Sequence, residues 1–171
     1  MSIISQKICL IGDFSVGKTS LIRRFIEDKF SDRYLTTIGV KVSRKSVVVG
    51  SAQVNLLVWD IEGQTKQKSI PTAYLQGARG AIIVGDLTRN ETLQHLPKHL
   101  KLFSGVNPQG KIIVALNKAD LVKADKLNKL IELYNFNQYD RVLDTYATSA
   151  KNGQYVNTMF DELATRILGK A

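Results

Sequence analysis

The chain of 171 residues lacks the marks of several specialised protein classes. Its single cysteine, Cys9, excludes a disulfide framework and, inside an apolar run, is typical of a core residue rather than a reactive thiol. No apolar run is long enough to span a membrane, and there is no secretory signal, repeat, low-complexity segment or linker. We therefore expect one globular domain over residues 1–171, located in the cytoplasm.

The charge distribution excludes a further class of protein. The net charge is +9, but no basic run is longer than two residues. A dispersed excess favours a solvated basic surface over a nucleic-acid groove, so we expect no nucleic-acid partner. At most, we expect a weak attraction to anionic membranes that added salt would screen.

Residues 12–19 carry the most informative pattern, Gly-Asp-Phe-Ser-Val-Gly-Lys-Thr. A glycine, four residues and then Gly-Lys-Ser/Thr, placed between a strand and a helix, form a loop whose backbone N–H groups cradle a di- or triphosphate. Lys18 would reach the β- and γ-phosphates, and the Thr19 hydroxyl would bind Mg²⁺. The predicted nucleotide contacts of the loop are Asp13, Phe14, Ser15, Val16, Gly17, Lys18, Thr19 and Ser20.

A second pattern, Asn117-Lys118-Ala119-Asp120, follows the apolar run 112–116 and indicates which base is bound. The Asp120 carboxylate can accept hydrogen bonds from N1–H and the exocyclic amine of guanine, whereas adenine offers neither donor there. Asn117 and Lys118 would brace the loop and lie along the base. The two patterns together predict a guanine nucleotide.

Hydrophobic periodicity predicts alternating strands and helices, and hence an α/β fold. Strands are predicted at 3–11, 40–49, 52–60, 80–86, 111–117 and 142–148. Helices are predicted at 18–27, after residue 64, and at 91–104, 124–135 and 152–168. The central runs show little alternation, which is typical of a parallel sheet covered by helices on both faces. We expect one doubly wound domain, with a mostly parallel six-stranded sheet and one antiparallel edge strand at 40–49.

With these motifs, the chain resembles a small GTPase of the Ras superfamily, closest to the Rab branch, over nearly its whole length. The resemblance implies a phosphate-loop GTPase fold and places the first switch threonine at Thr37, in the run 34–40. It also matches Trp59-Asp60-Ile61-Glu62-Gly63-Gln64 to the second switch. The implied metal ligands are Thr19, Thr37 and Asp60, the last acting through water.

The same resemblance implies the remaining site residues. The catalytic residues would be Lys18, Gly63, whose N–H would touch the γ-phosphate, and Gln64, which would orient the attacking water. Phe30 falls where the family stacks an aromatic ring on the base. The final base-contacting loop is matched by Ser149, Ala150 and Lys151.

The resemblance further implies a molecular switch that needs GTP or GDP and Mg²⁺. Loops 30–41 and 60–76 would signal the nucleotide state to effector, exchange-factor and activating proteins, and the chain is expected to be a monomer. The Rab branch usually carries a prenyl anchor on a C-terminal cysteine. This chain ends at residues 168–171 without a cysteine, so we expect it to carry no such anchor.

Three positions depart from the family pattern. Phe14 replaces a small residue, Glu62 replaces the usual alanine, and the run 41–45 is basic where an acidic residue is common. Phe14 would crowd the path of an activator's arginine, and Glu62 would add negative charge beside the γ-phosphate unless it faces solvent or pairs with a lysine such as Lys66. We therefore predict slow intrinsic hydrolysis.

The basic run 41–45 has two interpretations that we weigh equally. Lysines and arginines on an exposed edge strand discourage pairing with another chain. Alternatively, Lys41, Arg44 and Lys45 contact an acidic partner.

Two histidines, His95 and His99, are spaced like metal ligands on a helix. Pro97 lies between them, no carboxylate completes a ligand set, and the segment is expected at the surface, so we expect no zinc site.

Three functions are compatible with these patterns. The leading one is a GTP-hydrolysing switch, and the second is a scaffold that binds guanine nucleotide but hydrolyses it poorly. The third is another phosphate-loop enzyme such as a nucleotide kinase, which Asp120 and residues 148–151 argue against.

Overall fold

The computed structural model describes residues 3–33 and 35–169. Two short 3₁₀ turns, Thr72–Leu75 and Ala119–Leu121, lie between the longer elements. In chain order, the strands and helices are β1 (Ile3–Gly12), α1 (Lys18–Glu27), β2 (Val40–Val49), β3 (Ala52–Ile61), β4 (Gly80–Asp86), α2 (Asn90–Gln94), α3 (Leu96–Val106), β5 (Lys111–Asn117), α4 (Ala124–Leu133), β6 (Val142–Ala147) and α5 (Val156–Ile167).

The six strands form one sheet in the order β2-β3-β1-β4-β5-β6. All neighbouring pairs are parallel except β2 and β3, which pair antiparallel from Val40↔Ile61 to Val49↔Ala52. Gly50 closes this hairpin at φ +60°, a left-handed conformation that glycine adopts without steric cost. The predicted α/β fold, with an antiparallel edge strand at 40–49, is confirmed.

Helices cover the sheet on both faces and enclose two cores. On one face α1 and α5 pack together, and the rings of Phe25 and Phe160 stack with centroids 4.0 Å apart. On the other face α3 contributes a buried stripe that includes Leu96, Leu100 and Phe103. All seven residues of β4 are buried, which explains why its sequence does not alternate.

Four predicted helices have different bounds in the structure, and the one expected at 124–135 differs only in ending at Leu133. The helix expected after the second switch is only the 3₁₀ turn at 72–75. The helix expected at 91–104 is interrupted at His95, because Pro97 lacks an N–H and restarts the helix in its first turn. The last helix begins at Val156 rather than 152, because residues 149–153 form a turn that Gly153 closes by donating its N–H to the Ser149 carbonyl.

Cys9 lies in the middle of β1 and is fully buried. Burial raises the pKa of its thiol to about 12, with Lys7 opposing the shift. Cys9 is therefore a core residue, as its apolar surroundings in the sequence predict. Within the described part of the chain, no helix is long and apolar enough to cross a bilayer.

Candidate active site

A cavity of about 260 Å³ opens at the carboxyl ends of the parallel strands. Open α/β sheets bind ligands at this end, because loops from several strands meet there. Tyr34 of the first switch lies outside the described residues. The predicted site residues that line the cavity are Phe14, Ser15, Gly17, Lys18, Thr19, Ser20, Phe30, Thr37, Gly63, Asn117, Lys118, Asp120, Ala150 and Lys151.

The other predicted site residues lie directly behind this lining and contact it. Asp13 and Val16 offer backbone carbonyls to Lys18 and Asn117, and Asp60 accepts a hydrogen bond from Thr19. Gln64 pairs through its backbone with Phe14, and Ser149 donates to Asp120. The structure therefore brings the whole predicted set together.

The phosphate loop joins the end of β1 to the start of α1 at Lys18. Gly17 has φ +102°, and a Cβ there would lie 2.3 Å from Nδ2 of Asn117. Both facts require glycine at this position, the first because of backbone conformation and the second because of space. The Asn117 amide donates to the Val16 carbonyl at 3.1 Å and thereby ties the base loop to the phosphate loop.

Lys18 folds back over the loop that precedes it. Its ammonium donates to the carbonyls of Asp13 at 3.1 Å and Gly12 at 3.5 Å. Burial lowers the pKa of Lys18 to about 8, although the charges of Asp60 and Asp13 act in the opposite direction. A buried cation held mainly by carbonyls is well placed to gain from an anionic phosphate.

Three side-chain oxygens meet where α1, the first switch and β3 come together. The Thr19 hydroxyl lies 2.6 Å from that of Thr37 and donates to Asp60 Oδ2 at 2.6 Å, and Thr37 donates to the same oxygen at 3.0 Å. Among the described residues, Asp60 Oδ1 is buried without a hydrogen-bond partner. Carboxylate and hydroxyl oxygens suit Mg²⁺, and the unpartnered oxygen leaves an acceptor for a water in its shell.

The base side of the cavity is braced by side chains from β5 and from the loop after β6. The Thr148 hydroxyl donates to Asn117 Oδ1 at 3.1 Å, and the Ser149 hydroxyl donates to Asp120 Oδ1 at 2.7 Å. The Ser149 contact fixes the rotation of the carboxylate and leaves Asp120 Oδ2 for a ligand. Asn117 is buried, whereas Asp120 is exposed at the cavity edge.

Two residues that the sequence analysis missed support this side. Asp86, fully buried at the end of β4, lies 2.9 Å from the Lys118 ammonium, which also donates to the Ser15 carbonyl at 3.3 Å. From α1, Arg24 donates to the carbonyls of Ala150, at 2.9 Å, and Lys151. The signal for Asp86 was present in the sequence, because a carboxylate at the end of an apolar strand needs a cationic partner.

The second switch pairs with the phosphate loop through its backbone. Phe14 donates its N–H to the Gln64 carbonyl at 2.9 Å, and Gln64 donates its own to the Gly12 carbonyl at 3.1 Å. A Cβ on Gly63 would lie 2.5 Å from Cα of Phe14, so only glycine allows this approach. Phe14 itself is 39% exposed and lines the cavity.

Comparison with known proteins agrees with this geometry. The family model described as Ras family matches residues 7–169. The chain belongs to the Ras family. It is 36% identical to Ras-related protein SEC4 of Saccharomyces cerevisiae over 96% of this chain and 76% of that protein. It is also 36% identical to Ras-related protein Rab-13 of Canis lupus familiaris (96% and 81%) and 32% identical to Ras-related protein Rab-22A of Homo sapiens (98% and 86%).

Within this Ras-family site, Glu62 has a partner other than the lysine suggested above. Its carboxylate lies 2.6 Å from the ammonium of Lys68, not Lys66. The hydrogen bond with Lys68 lowers the pKa of Glu62 and, reciprocally, raises that of Lys68. The negative charge that we expected beside the γ-phosphate is therefore compensated locally.

The histidines of this Ras-family chain also differ from the sequence expectation. His99 is fully buried rather than at the surface, and a carboxylate does lie between the pair. Asp13 Oδ2 lies 2.6 Å from His95 Nδ1, and Asp13 Oδ1 lies 2.8 Å from His99 Nε2. Burial raises the pKa of Asp13, but the hydrogen bonds and charges of His99 and His95 together lower it. The sequence signal was the position of His99 on the buried stripe of α3.

Proposed function

We propose that this protein is a GTP-binding molecular switch that hydrolyses GTP to GDP slowly and with Mg²⁺, and that residues 1–171 form its single GTPase domain. One observation carries the proposal: the phosphate loop, Thr19 and Thr37 with Asp60 bonded behind them, and the Asp120 carboxylate meet at one cavity. That arrangement suits the three parts of a magnesium-bound guanine nucleotide. The membership of the Ras family supports the same activity.

In the proposed mechanism, backbone N–H groups of the phosphate loop and the Lys18 ammonium hold the β- and γ-phosphates. Thr19 and Thr37 would hold Mg²⁺ directly, and Asp60 would do so through water; the ion would offset the charge of the phosphate oxygens. Gln64 would orient a water whose oxygen bonds to the γ-phosphorus, while the bond from that phosphorus to the β–γ bridging oxygen breaks. The products are GDP and inorganic phosphate.

The slow rate is proposed from the surroundings of the γ-phosphate. The Phe14 side chain lines the cavity on the side where the second switch meets the phosphate loop. A bulky ring there restricts the access of an activator's arginine, which contributes on the order of 10³–10⁵ in rate in this class of enzyme. Glu62 contributes less to the slow rate than its sequence position suggests, because Lys68 pairs with its charge.

A hydrolysis-poor scaffold is the second candidate, and Phe14 is the observation that favours it. If the ring prevents Gln64 from reaching its water, the protein would hold guanine nucleotide with little turnover. The two candidates predict the same nucleotide affinity and differ only in rate. A single-turnover measurement therefore separates them.

We propose that the switch loops 30–41 and 60–76 contact effector, exchange-factor and activating proteins. Lys41, at the end of the first loop, and Arg44, just beyond it, are exposed on β2, an edge strand of the sheet. Charge complementarity favours an acidic surface on any partner that binds there. The monomeric state, the cytoplasmic location and the weak contact with anionic membranes stay predictions.

The test begins with the nucleotide that elutes from the purified protein, which should be GDP or GTP. Single-turnover hydrolysis of GTP should then require Mg²⁺, stop with excess chelator, and fall at least about tenfold in Gln64→Leu. Thr19→Asn should weaken GTP binding more than GDP binding, because the Mg²⁺ that Thr19 would hold would offset more negative charge on a triphosphate than on a diphosphate. Binding without measurable turnover would favour the scaffold, and copurified adenine nucleotide would contradict both candidates.

A further inference from the structure

The cluster of Asp13, His95 and His99 has no role in the mechanism above, although it is built into the phosphate loop. Each carboxylate oxygen of Asp13 is hydrogen-bonded to one imidazole ring. Oδ2 contacts His95, and Oδ1 contacts His99. A carboxylate only accepts, so both rings donate, His95 through Nδ1 and His99 through Nε2. The side chain of Asp13 does not line the cavity and is held by His99 of α3 and by His95, the residue before α3.

The placement of the two rings follows from the break in the helix. Pro97 ends α2 and restarts α3, so that His95 lies at the junction and His99 one turn into α3. His99 is fully buried, and among the described residues its Nδ1 has no hydrogen-bond partner. The His99 ring therefore has one polar contact in the described structure, and that contact is Asp13.

The backbone around Asp13 is the strip that pairs with the second switch. The Gly12 carbonyl accepts from the N–H of Gln64, and the N–H of Phe14 donates to the Gln64 carbonyl. Asp13 and Gln64 therefore form an isolated parallel bridge. Lys18 and Arg89 also donate to carbonyls of this strip, whereas His95 and His99 hold it through the Asp13 side chain. A shift of Asp13 would be transmitted to Gln64 across two hydrogen bonds.

We propose that His95 and His99 are positioning residues for GTP hydrolysis: by clamping Asp13 from helix α3, they fix the segment of the phosphate loop that sets the position of Gln64. The inference rests on the proposed role of Gln64 in orienting water. It makes the start of α3 a part of the hydrolytic machinery, although neither histidine lines the cavity. The clamp acts on the rate more than on nucleotide affinity, because Lys18 contacts the backbone carbonyls of Asp13 and Gly12 rather than the clamped side chain, and the base loop is held by contacts of its own.

The test compares variants that remove a donor with variants that keep it in place. In asparagine the amide nitrogen lies near the position of histidine Nδ1, and in glutamine near that of Nε2. His95→Asn and His99→Gln should therefore retain the clamp, whereas His95→Leu and His99→Leu remove it. Gln94→Leu is the matched control, because Gln94 is the exposed neighbour of His95.

We expect His99→Leu to lower the single-turnover rate about tenfold, less than the roughly 100-fold that an ångström of misplacement can cost. His95→Leu should have a smaller effect, and the GDP dissociation constant should change less than about threefold in both. His95→Asn and His99→Gln should recover at least half of the wild-type rate. Gln94→Leu should behave as wild type, and thermal unfolding with GDP bound identifies any variant that fails to fold.

A double-mutant comparison shows whether the clamp acts through Gln64. In a Gln64→Leu background, the leucine variants of both histidines should lower the rate no further, because the group that they position is gone. If they lower it by the same factor in both backgrounds, or if the asparagine and glutamine variants are as slow as the leucine ones, the inference is wrong. If Gln64→Leu by itself leaves the rate unchanged, the proposed function fails at that residue instead.

Discussion

The base side and the γ-phosphate side of the cavity are built differently. On the base side, side chains fix the groups that would meet the nucleotide. These side chains are Asn117 and Asp86, which are buried, and Ser149, whose hydroxyl donates to Asp120. On the γ-phosphate side, the contacts run through backbone pairs between two loops, and Phe14 and Glu62 depart from the family pattern. Affinity and base choice are therefore expected to depend on rigid side chains, and rate on how two loops are held together.

The largest effect is expected at Lys18, which we propose holds the phosphates. Lys18→Ala removes a buried cation and the charge-assisted hydrogen bonds that it would make to phosphate, so GDP affinity should fall about 1,000-fold. Titration calorimetry measures the GDP dissociation constant. Lys126→Ala, which removes an exposed lysine from α4, is the control and should bind GDP as the wild type does. A loss below tenfold would mean that backbone N–H groups alone carry the phosphates.

The next largest effect is expected on the base side. In Asp120→Asn, the amide oxygen should keep the hydrogen bond from Ser149, so that the amide nitrogen turns toward the base. The amide nitrogen would then face the N–H donors of guanine, so the affinity for GTP should fall about 100-fold. The affinity for xanthosine triphosphate should rise, because its extra carbonyl accepts a hydrogen bond from the amide. Competition binding with both nucleotides is the measurement. Asp125→Asn, an exposed neighbour in α4, should alter neither, and unchanged base preference in Asp120→Asn would disprove the guanine assignment.

A smaller effect, on rate alone, is expected at Phe14. Phe14→Gly should raise single-turnover hydrolysis by about fivefold while changing GDP affinity less than twofold, because it opens space beside Gln64 without removing a phosphate contact. Tyr139→Gly, which removes another half-exposed aromatic ring, controls for general loosening. If Phe14→Gly is as slow as wild type, the ring does not restrict the reaction, and the contrast between the two sides loses its main support.

The smallest effect is expected at the pair Glu62 and Lys68. Lys68→Ala should return the pKa of Glu62 from its lowered value toward 4.5, as NMR titration would record, whereas Lys66→Ala should not. Because folding lowers this pKa, the contribution of the pair to stability is present above pH 4.5 and fades as the pH falls through the folded-state value. Glu62→Ala should change the hydrolysis rate less than twofold. A larger rise would show that Lys68 does not neutralise the charge.

Much of the fold could be predicted from local pattern. The apolar runs of the central strands and the turn at Gly50 are short-range signals, and β2 through β5 agree with expectation to within a residue. The helices were predicted less well where tertiary packing decides their ends. Pro97 was visible in the sequence, but the interruption at His95 is stable because both rings find Asp13, which is more than 80 residues away in the chain.

Candidate site residues could be recognised in the sequence where one residue type in a fixed pattern suits the proposed chemistry. Gly17, Lys18 and Asn117 are of this kind, because the loop geometry admits few alternatives. Supporting residues were not, because Asp86, Arg24 and His99 act through partners that are remote in sequence. The same distance explains the expected pairing of Glu62 with Lys66: proximity along the chain suggested Lys66, whereas the second switch brings Lys68 to the carboxylate instead.

The sequence by itself determined the family and predicted the class of ligand, because the glycines, the lysine and the carboxylate that are expected to bind phosphate and guanine require fixed residue types at fixed spacing. Only the tertiary structure decided which charges are neutralised and which side chains hold the loops in place. Burial makes these partnerships strong, and strands and helices that are adjacent in space but distant in sequence supply them. Asp13 illustrates both points. The pattern at residues 12–19 predicts its place in the phosphate loop, whereas its two imidazole partners depend on how α3 packs against β1.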